Sequence, residues 1–249
     1  MKFAQSKYIS LLTLTVLLFG VPIMLSAQQK LKRILVFSKT DTGYRHASIE
    51  AGKQMFIKMA KEKFFKADTT EDASHFNDNE LKQYDVIVFL STRGNILDTF
   101  QQEAFQHFIH RGGGFVGIHA ATTTEYDWPW YNKLIGAYFD GHPEPQKATY
   151  RKIDHNFFPT KTFPDTLQWM DEIYNFRSVQ DSLHYLITVD EKSYTGGKMG
   201  SFHPVCWYNM FEGGRMFYIA LGHFDGAYSD PLFTTIIYNG LRWTAGEKQ

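Results

Sequence analysis

Residues 85–119 read DVIVFLSTRGNILDTFQQEAFQHFIHRGGGFVGIH, and this stretch decides the fold. Asp85-Val86-Ile87-Val88-Phe89-Leu90 is a short continuous apolar run rich in β-branched residues, which predicts a strand buried on both faces. From Phe100 to His110 the side chains of Phe100, Ala104, Phe105 and Phe108 fall on one helical face, and Gly112-Gly113-Gly114 stops the helix. Phe115-Val116-Gly117-Ile118 is a further buried strand that ends at His119. Strand, helix and strand in this order form a βαβ unit, and repeated units build a parallel sheet with helices on both faces.

The same alternation extends outward. Upstream, Leu31 to Phe37 predicts a buried strand, and Ala47 to Phe64 an amphipathic helix carried by Ile49, Met55, Phe56, Met59 and Ala60. Downstream the pattern is less regular, with shorter strands expected near Ala148–Ile153, Leu186–Val189 and Val205–Tyr208. Regularity returns with a strand over Arg215–Leu221, Gly222-His223 at its end, and a closing helix from Pro231 to Trp243 with proline at its start. No repeat or linker divides the chain, so residues 28–249 are expected to form a single α/β domain. Ligands of such sheets bind outside the carboxyl ends of the strands, so the loops Ser38–His46, Ser91–Asn95 and His119–Asp127 should converge on one crevice.

Composition narrows the function. With 249 residues, 43% of them hydrophobic, the chain can bury a sizeable core and is not a disordered segment. Lys plus Arg and Asp plus Glu each total 26, which removes bulk charge as a means of gripping nucleic acid. Residues 1–27 carry Lys2 and Lys7 ahead of an apolar run from Ile9 to Leu25 and end at Ser26-Ala27, the pattern of a secretory signal peptide. Gly20 and Pro22 favour cleavage over retention as an anchor, so the mature chain is expected to be exported, periplasmic or extracellular, with no stable membrane insertion. Loss of Lys2 and Lys7 leaves 24 basic against 26 acidic residues, a formal charge of −2. The sole cysteine, Cys206, excludes an intramolecular disulfide and a cysteine-rich zinc site.

Four histidines stand at loop or strand ends: His46 in Tyr44-Arg45-His46, His119 after the Phe115–Ile118 strand, His142 between Gly141 and Pro143, and His223 after Gly222. These positions suit neutral-imidazole metal ligation or acid–base work, although each histidine also has a reading as a satisfied polar group of the fold. His119 occupies the strand-to-loop elbow where related α/β enzymes place a Ser or Cys nucleophile, so acyl transfer of that type lacks its central group. In Asp171-Glu172-Ile173-Tyr174 an extended backbone sends Asp171 and Glu172 to opposite faces and lets Glu172 share a face with Tyr174. Arg93 is placed either to hold a substrate oxygen or to pair with a surface acid.

Several motifs occur together and in order: Gly43-Tyr44-Arg45-His46; Gly112-Gly113-Gly114 through His119-Ala120-Ala121; Gly136 to Phe139 with Gly141-His142-Pro143; Asp171-Glu172-Ile173-Tyr174; and Gly213-Gly214-Arg215 leading to Leu221-Gly222-His223. This set, from about Arg33 to Trp243, resembles the trehalose-utilisation, or ThuA-like, family. The resemblance implies a flavodoxin-like, class I glutamine amidotransferase-like fold, mostly parallel with helices on both faces. Because His119 stands where that superfamily's cysteine attacks glutamine, glutaminase activity is not expected. The family's link to sugar catabolism implies a small-molecule carbohydrate, with keto-glycosides favoured, as the ligand. A divalent metal such as zinc is compatible with the histidines, and its presence is left open. The expected catalytic residues are His119, His142 and Glu172, with Arg45, His46, Arg93, Tyr174 and His223 binding substrate. Lyase, hydrolase or isomerase chemistry on a keto-glycoside is the leading reading, and a non-catalytic carbohydrate-binding protein is the alternative.

Overall fold

The computed structural model describes residues 31–247, so the segment read as a signal peptide lies outside the described residues. The elements in chain order are β1 (Arg33–Phe37), α1 (Ile49–Lys63), β2 (Lys66–Thr70), α2 (Asp78–Leu81), β3 (Val86–Leu90), α3 (Thr99–His110), β4 (Gly114–Ile118) and α4 (Pro129–Ile135). They continue with β5 (Tyr138–Phe139), β6 (Gln146–Lys152), β7 (Thr166–Asp171), β8 (Phe176–Arg177), β9 (His184–Val189), β10 (Pro204–Phe211), β11 (Gly214–Ile219) and α5 (Pro231–Thr244). Nine strands make one sheet in the order β2-β1-β3-β4-β11-β10-β9-β6-β7, while β5 and β8 pair separately.

The first five strands of that order are paired in parallel, and every pairing beyond β11 is antiparallel. Two of the nine strands, β10 and β6, therefore run against the other seven. In the parallel half the side chains alternate between two covered faces. Phe89 and Phe115 meet Phe105 of α3 and Tyr131 of α4. On the other face, Leu90 packs where Gly52 of α1 presents bare backbone, and Phe217 packs against Gly240 of α5. Both faces are thus sealed over β1, β3, β4 and β11, which is why these four strands are apolar at almost every position.

The local causes are ordinary ones. Asp98 caps α3 by accepting from the Gln101 backbone, and the Gln101 side chain accepts in return from the Asp98 N–H. Gly112 and Gly136 end α3 and α4 with positive φ, a conformation that suits glycine. Asp230 caps α5 ahead of Pro231. No helix among the described residues is long and apolar enough to cross a membrane.

The structure adds two long-sheet strands that the apolar pattern does not mark. β2, Lys-Ala-Asp-Thr-Thr, is a half-exposed edge strand held by its pairing with β1. β7 forms the opposite edge and carries the chain to Asp171.

Candidate functional site

The carboxyl ends of β1, β3, β4 and β11 open onto a crevice of about 390 Å³, near the lower end of the ~300–1,000 Å³ typical of small-molecule sites. It is lined by Tyr44, His46, Arg93, Thr123, Phe139, His142, Glu172, Tyr174 and His223. The loops from Ser38 and Ser91 and the turn beginning at His119 do converge, joined by backbone bridges between Thr40 and Arg93 and between Gly94 and Thr124.

His119 begins a 3-10 turn directly after β4 and adopts φ of +51°, a left-handed backbone at the elbow. Its ring is fully buried and its Nδ1–H donates to the Ala220 carbonyl at 2.7 Å. In the neutral ring this fixes the tautomer and turns the Nε2 lone pair into the site. There Nε2 meets His46 Nε2 at 3.1 Å and the Tyr174 hydroxyl at 3.0 Å. His46 arrives from the loop before α1, where the Ser48 hydroxyl donates to the Gly222 carbonyl and so ties that loop to the end of β11. Gly222 has φ of +121°, and a Cβ there would lie 2.9 Å from the Tyr228 hydroxyl. Glycine therefore permits the turn that delivers His223.

The acidic partner comes from the other side of the sheet. Glu172 follows β7 directly, and its Oε2 lies 3.3 Å from His119 Nε2, 3.7 Å from His46 Nε2 and 3.2 Å from His223 Nδ1. Its Oε1 is 3.1 Å from His142 Nε2. One carboxylate is thus faced by four imidazoles. Burial alone would push the Glu172 carboxyl up, but His119, His223 and His46 overcome this and hold it well below the usual carboxylate range. Burial pulls His46 down to about 4, against the pull of Glu172, so this ring is neutral at pH 7. His223 is raised, chiefly by Glu172.

Asp171 points away from the crevice. Its carboxylate accepts from the backbone of Gly222 and His223, each at 3.0 Å, and from the Trp169 indole. It fixes the backbone that carries His223, which is the opposite-face arrangement expected of an extended Asp171-Glu172 pair. His142, on the turn after Gly141, donates from Nδ1 to the Pro143 carbonyl and stacks near Tyr174 at the mouth.

One expected substrate contact is placed elsewhere. The Arg45 guanidinium is held by Glu50 and Glu71, both at 2.6 Å, and does not line the crevice. The carboxylates of α1 and of the segment after β2 capture it before it can turn inward. Arg93 does line the crevice, and it also pairs with Asp41 at 2.8 Å. A Cβ on Gly43 would sit 1.1 Å from Arg93 Nη1, so the glycine of Gly43-Tyr44-Arg45-His46 is the floor on which Arg93 lies. Tyr44, Phe139 and Thr123 also line the crevice, beyond the residues the sequence points to. Tyr44 could have been found from its position two residues before His46, which gives both side chains one side of an extended loop. Nothing local marks Phe139 or Thr123.

The residues fit a metal. One donor atom from each of His46, His119, Glu172 and His223 lies within 4.8 Å of all the others. A tetrahedral zinc with bonds near 2.0–2.1 Å needs donors ~3.3 Å apart. Four of the six donor separations, 3.1 to 3.7 Å, bracket that value, and the two between His223 and the other imidazoles stay within 4.8 Å. His223 Nδ1 is buried without a hydrogen-bond partner, since its contact with Glu172 lacks hydrogen-bond geometry. Three imidazoles and one carboxylate suit a borderline ion such as zinc better than calcium or magnesium.

A mostly parallel sheet with helices on both faces, a left-handed elbow at His119 after β4 and a crevice at the strand ends make up a glutamine amidotransferase-like fold. Residues 33–244 match the sequence model of the ThuA family, described as trehalose utilisation, and the chain belongs to that family. A ThuA-like protein of Bacteroides uniformis is 25% identical, superposes with a TM-score of 0.74, and the match covers 86% of this chain and 91% of that one. A ThuA-like protein of Parabacteroides merdae is 18% identical with a TM-score of 0.73, covering 88% and 92%. A glutamine amidotransferase of Thermotoga maritima shares the fold at 15% identity and a TM-score of 0.52, covering 87% and 99%. No functionally curated protein matches the chain.

Proposed function

We propose that this protein is an exported carbohydrate-catabolism enzyme that acts on a keto-glycoside by proton transfer and has no glutaminase activity. The observation that carries the reading is Glu172, faced by four imidazoles on the floor of a crevice of small-molecule size. A ring carbonyl acidifies the neighbouring C–H, so a positioned base and a stabilised enediolate suffice for isomerisation or for elimination of the aglycone.

His142 is the proton carrier in this scheme. Its ring is about one-third exposed, and with Nδ1–H engaged by Pro143 its Nε2 is the nitrogen that takes and returns a proton. Glu172 stabilises the imidazolium so formed. His119 is fully buried, so it serves the site through what its Nε2 holds. Of the two roles expected for the pair, ligand fits His119 and acid–base fits His142. The Tyr174 hydroxyl and the Arg93 guanidinium offer hydrogen bonds to sugar oxygens, and the 60%-exposed Tyr44 ring offers a flat face to a sugar's C–H surface. His46, His119, His223 and Glu172 would hold a zinc-type ion, which when bound polarises a substrate carbonyl.

The test is metal analysis of the purified protein beside binding and turnover assays on keto-disaccharides and their parent sugars. Turnover of the keto form is expected, with His142→Ala losing kcat while keeping substrate affinity. Sugar binding without turnover, with only modest affinity losses in His119→Ala and His142→Ala, would make the protein a carbohydrate-binding one. Neither binding nor turnover removes the sugar reading.

A further inference from the structure

We infer that the loop from Glu191 to His203 is a positioning clamp for the crevice and that Glu191 is the residue that closes it. The inference rests on the reading of Glu172 as the central group of the site.

Three consecutive residues just beyond Glu172 are docked on this loop. The Tyr174 carbonyl accepts from His203 Nε2 at 2.8 Å, Asn175 Oδ1 accepts from the Lys198 backbone at 2.7 Å, and the Phe176 N–H donates to Met199 Sδ at 3.3 Å. Asn175 also pairs through its backbone with Asp140 and Gly141, each at 2.8 Å, and so carries the His142 turn. The segment bearing Glu172 and Tyr174 and the turn bearing His142 therefore hang on one loop.

Glu191 ties that loop to itself. Its Oε1 accepts from the Met199 backbone at 2.7 Å and lies 2.8 Å from His203 Nδ1, and its Oε2 accepts from Gly200 at 3.1 Å. A Cβ on Gly197 would sit 2.4 Å from Glu191 Cδ, so the carboxylate packs against bare backbone. Neither Glu191 nor His203 lines the crevice. Both act through Tyr174 and Asn175, which makes them positioning residues. Such residues hold site side chains to the sub-ångström tolerance that ligation and proton transfer require, and because neither bonds to a donor side chain, the low end of the ~10–100-fold that a direct partner of a metal ligand contributes to affinity applies.

The experiment compares wild type, Glu191→Ala, Glu191→Gln and a core control, Val88→Ala, as full mature chains. Zinc affinity is measured by chelator competition, and backbone hydrogen exchange is followed over residues 171–177. Glu191→Ala is expected to weaken zinc binding about 10-fold and to speed exchange selectively across 171–177, with Glu191→Gln between it and wild type, while Val88→Ala keeps the wild-type zinc affinity and speeds exchange across the whole domain without singling out 171–177. If Glu191→Ala fails to fold, Glu191→Gln decides by the same two readouts. Faster exchange confined to 191–203, with 171–177 as protected as in wild type, overturns the clamp. If wild type binds no zinc, the metal reading of the site falls, and hydrogen exchange alone decides the clamp.

Discussion

The two halves of the sheet contribute to the crevice in different ways. The parallel half, β2-β1-β3-β4-β11, delivers His46, Arg93, His119 and His223 because topology alone brings the carboxyl ends of parallel strands to one rim. The antiparallel wing, β10-β9-β6-β7, and the loops that join it deliver His142, Glu172 and Tyr174 by specific turns and a network of side-chain hydrogen bonds. Three of the four imidazoles and the carboxylate they face thus come from opposite sides of a seam at β11–β10. The parallel half supplies three of the four imidazoles, and the wing supplies the fourth, His142, with the acid that makes them a site.

The sharpest way to break this division is at Glu172, the wing's contribution to all four imidazoles. Glu172→Gln keeps the shape and removes the charge, and kcat/KM on a turned-over keto-glycoside is expected to fall about 10²–10⁴-fold. Steady-state kinetics that show less than tenfold loss would move the site's centre to the parallel half.

Stability should divide along the same seam. Phe89 meets Phe37, Phe105, Phe115 and Tyr131, and Phe89→Ala is expected to cost about 3–5 kcal/mol in urea unfolding. Leu167→Ala on the half-buried edge strand β7 should cost about 1 kcal/mol. Equal costs would mean that the two halves share one core of uniform stringency.

Acid should weaken the seam as well. The folded-state pKa of His46 is about 4 against 6.5 unfolded, so between these values the unfolded chain binds more protons. Its contribution is complete above pH 6.5 and is lost as pH falls toward 4, with a slope of up to about 1.4 kcal/mol per pH unit. The lowered Glu172 carboxyl acts in the same direction below its ordinary value, while the raised His223 opposes both as pH rises. Urea midpoints at several pH values should show this slope in wild type and a shallower one in His46→Asn.

The smallest effect is expected at Gly43. In Gly43→Ala the new methyl displaces the flexible end of Arg93 from its floor, raising KM a few-fold with kcat unchanged. An unchanged KM would remove Arg93 from substrate contact.

Legibility in the sequence followed burial more closely than this boundary. The inner strands of the parallel half, β1, β3, β4 and β11, are sealed on both sides, so each appears as a nearly continuous apolar run, and the histidines at their ends can be named from position alone. β2 escaped notice because an edge strand held by backbone pairing needs no apolar stripe. β7 escaped because its inward residues, Leu167 and Trp169, are only half-buried. Glu172 and Tyr174 could be placed on one face by alternation, but their meeting with His119 depends on pairings across more than fifty residues, which no local pattern encodes. The capture of Arg45 is hidden for a similar reason, since Glu71 reaches it from the segment that follows β2, a strand the apolar pattern does not mark.

The position of β11 has a kinetic consequence. Of the nine strands of the sheet this one comes last in chain order, yet it lies in the middle of the sheet between β4 and β10. Until residues 214–219 are available, β4 and β10 each present an unpaired edge, and no shorter N-terminal piece can close them. Folding of this chain therefore has a late, long-range committing step, and chains truncated before β11 should aggregate instead of surviving as smaller domains.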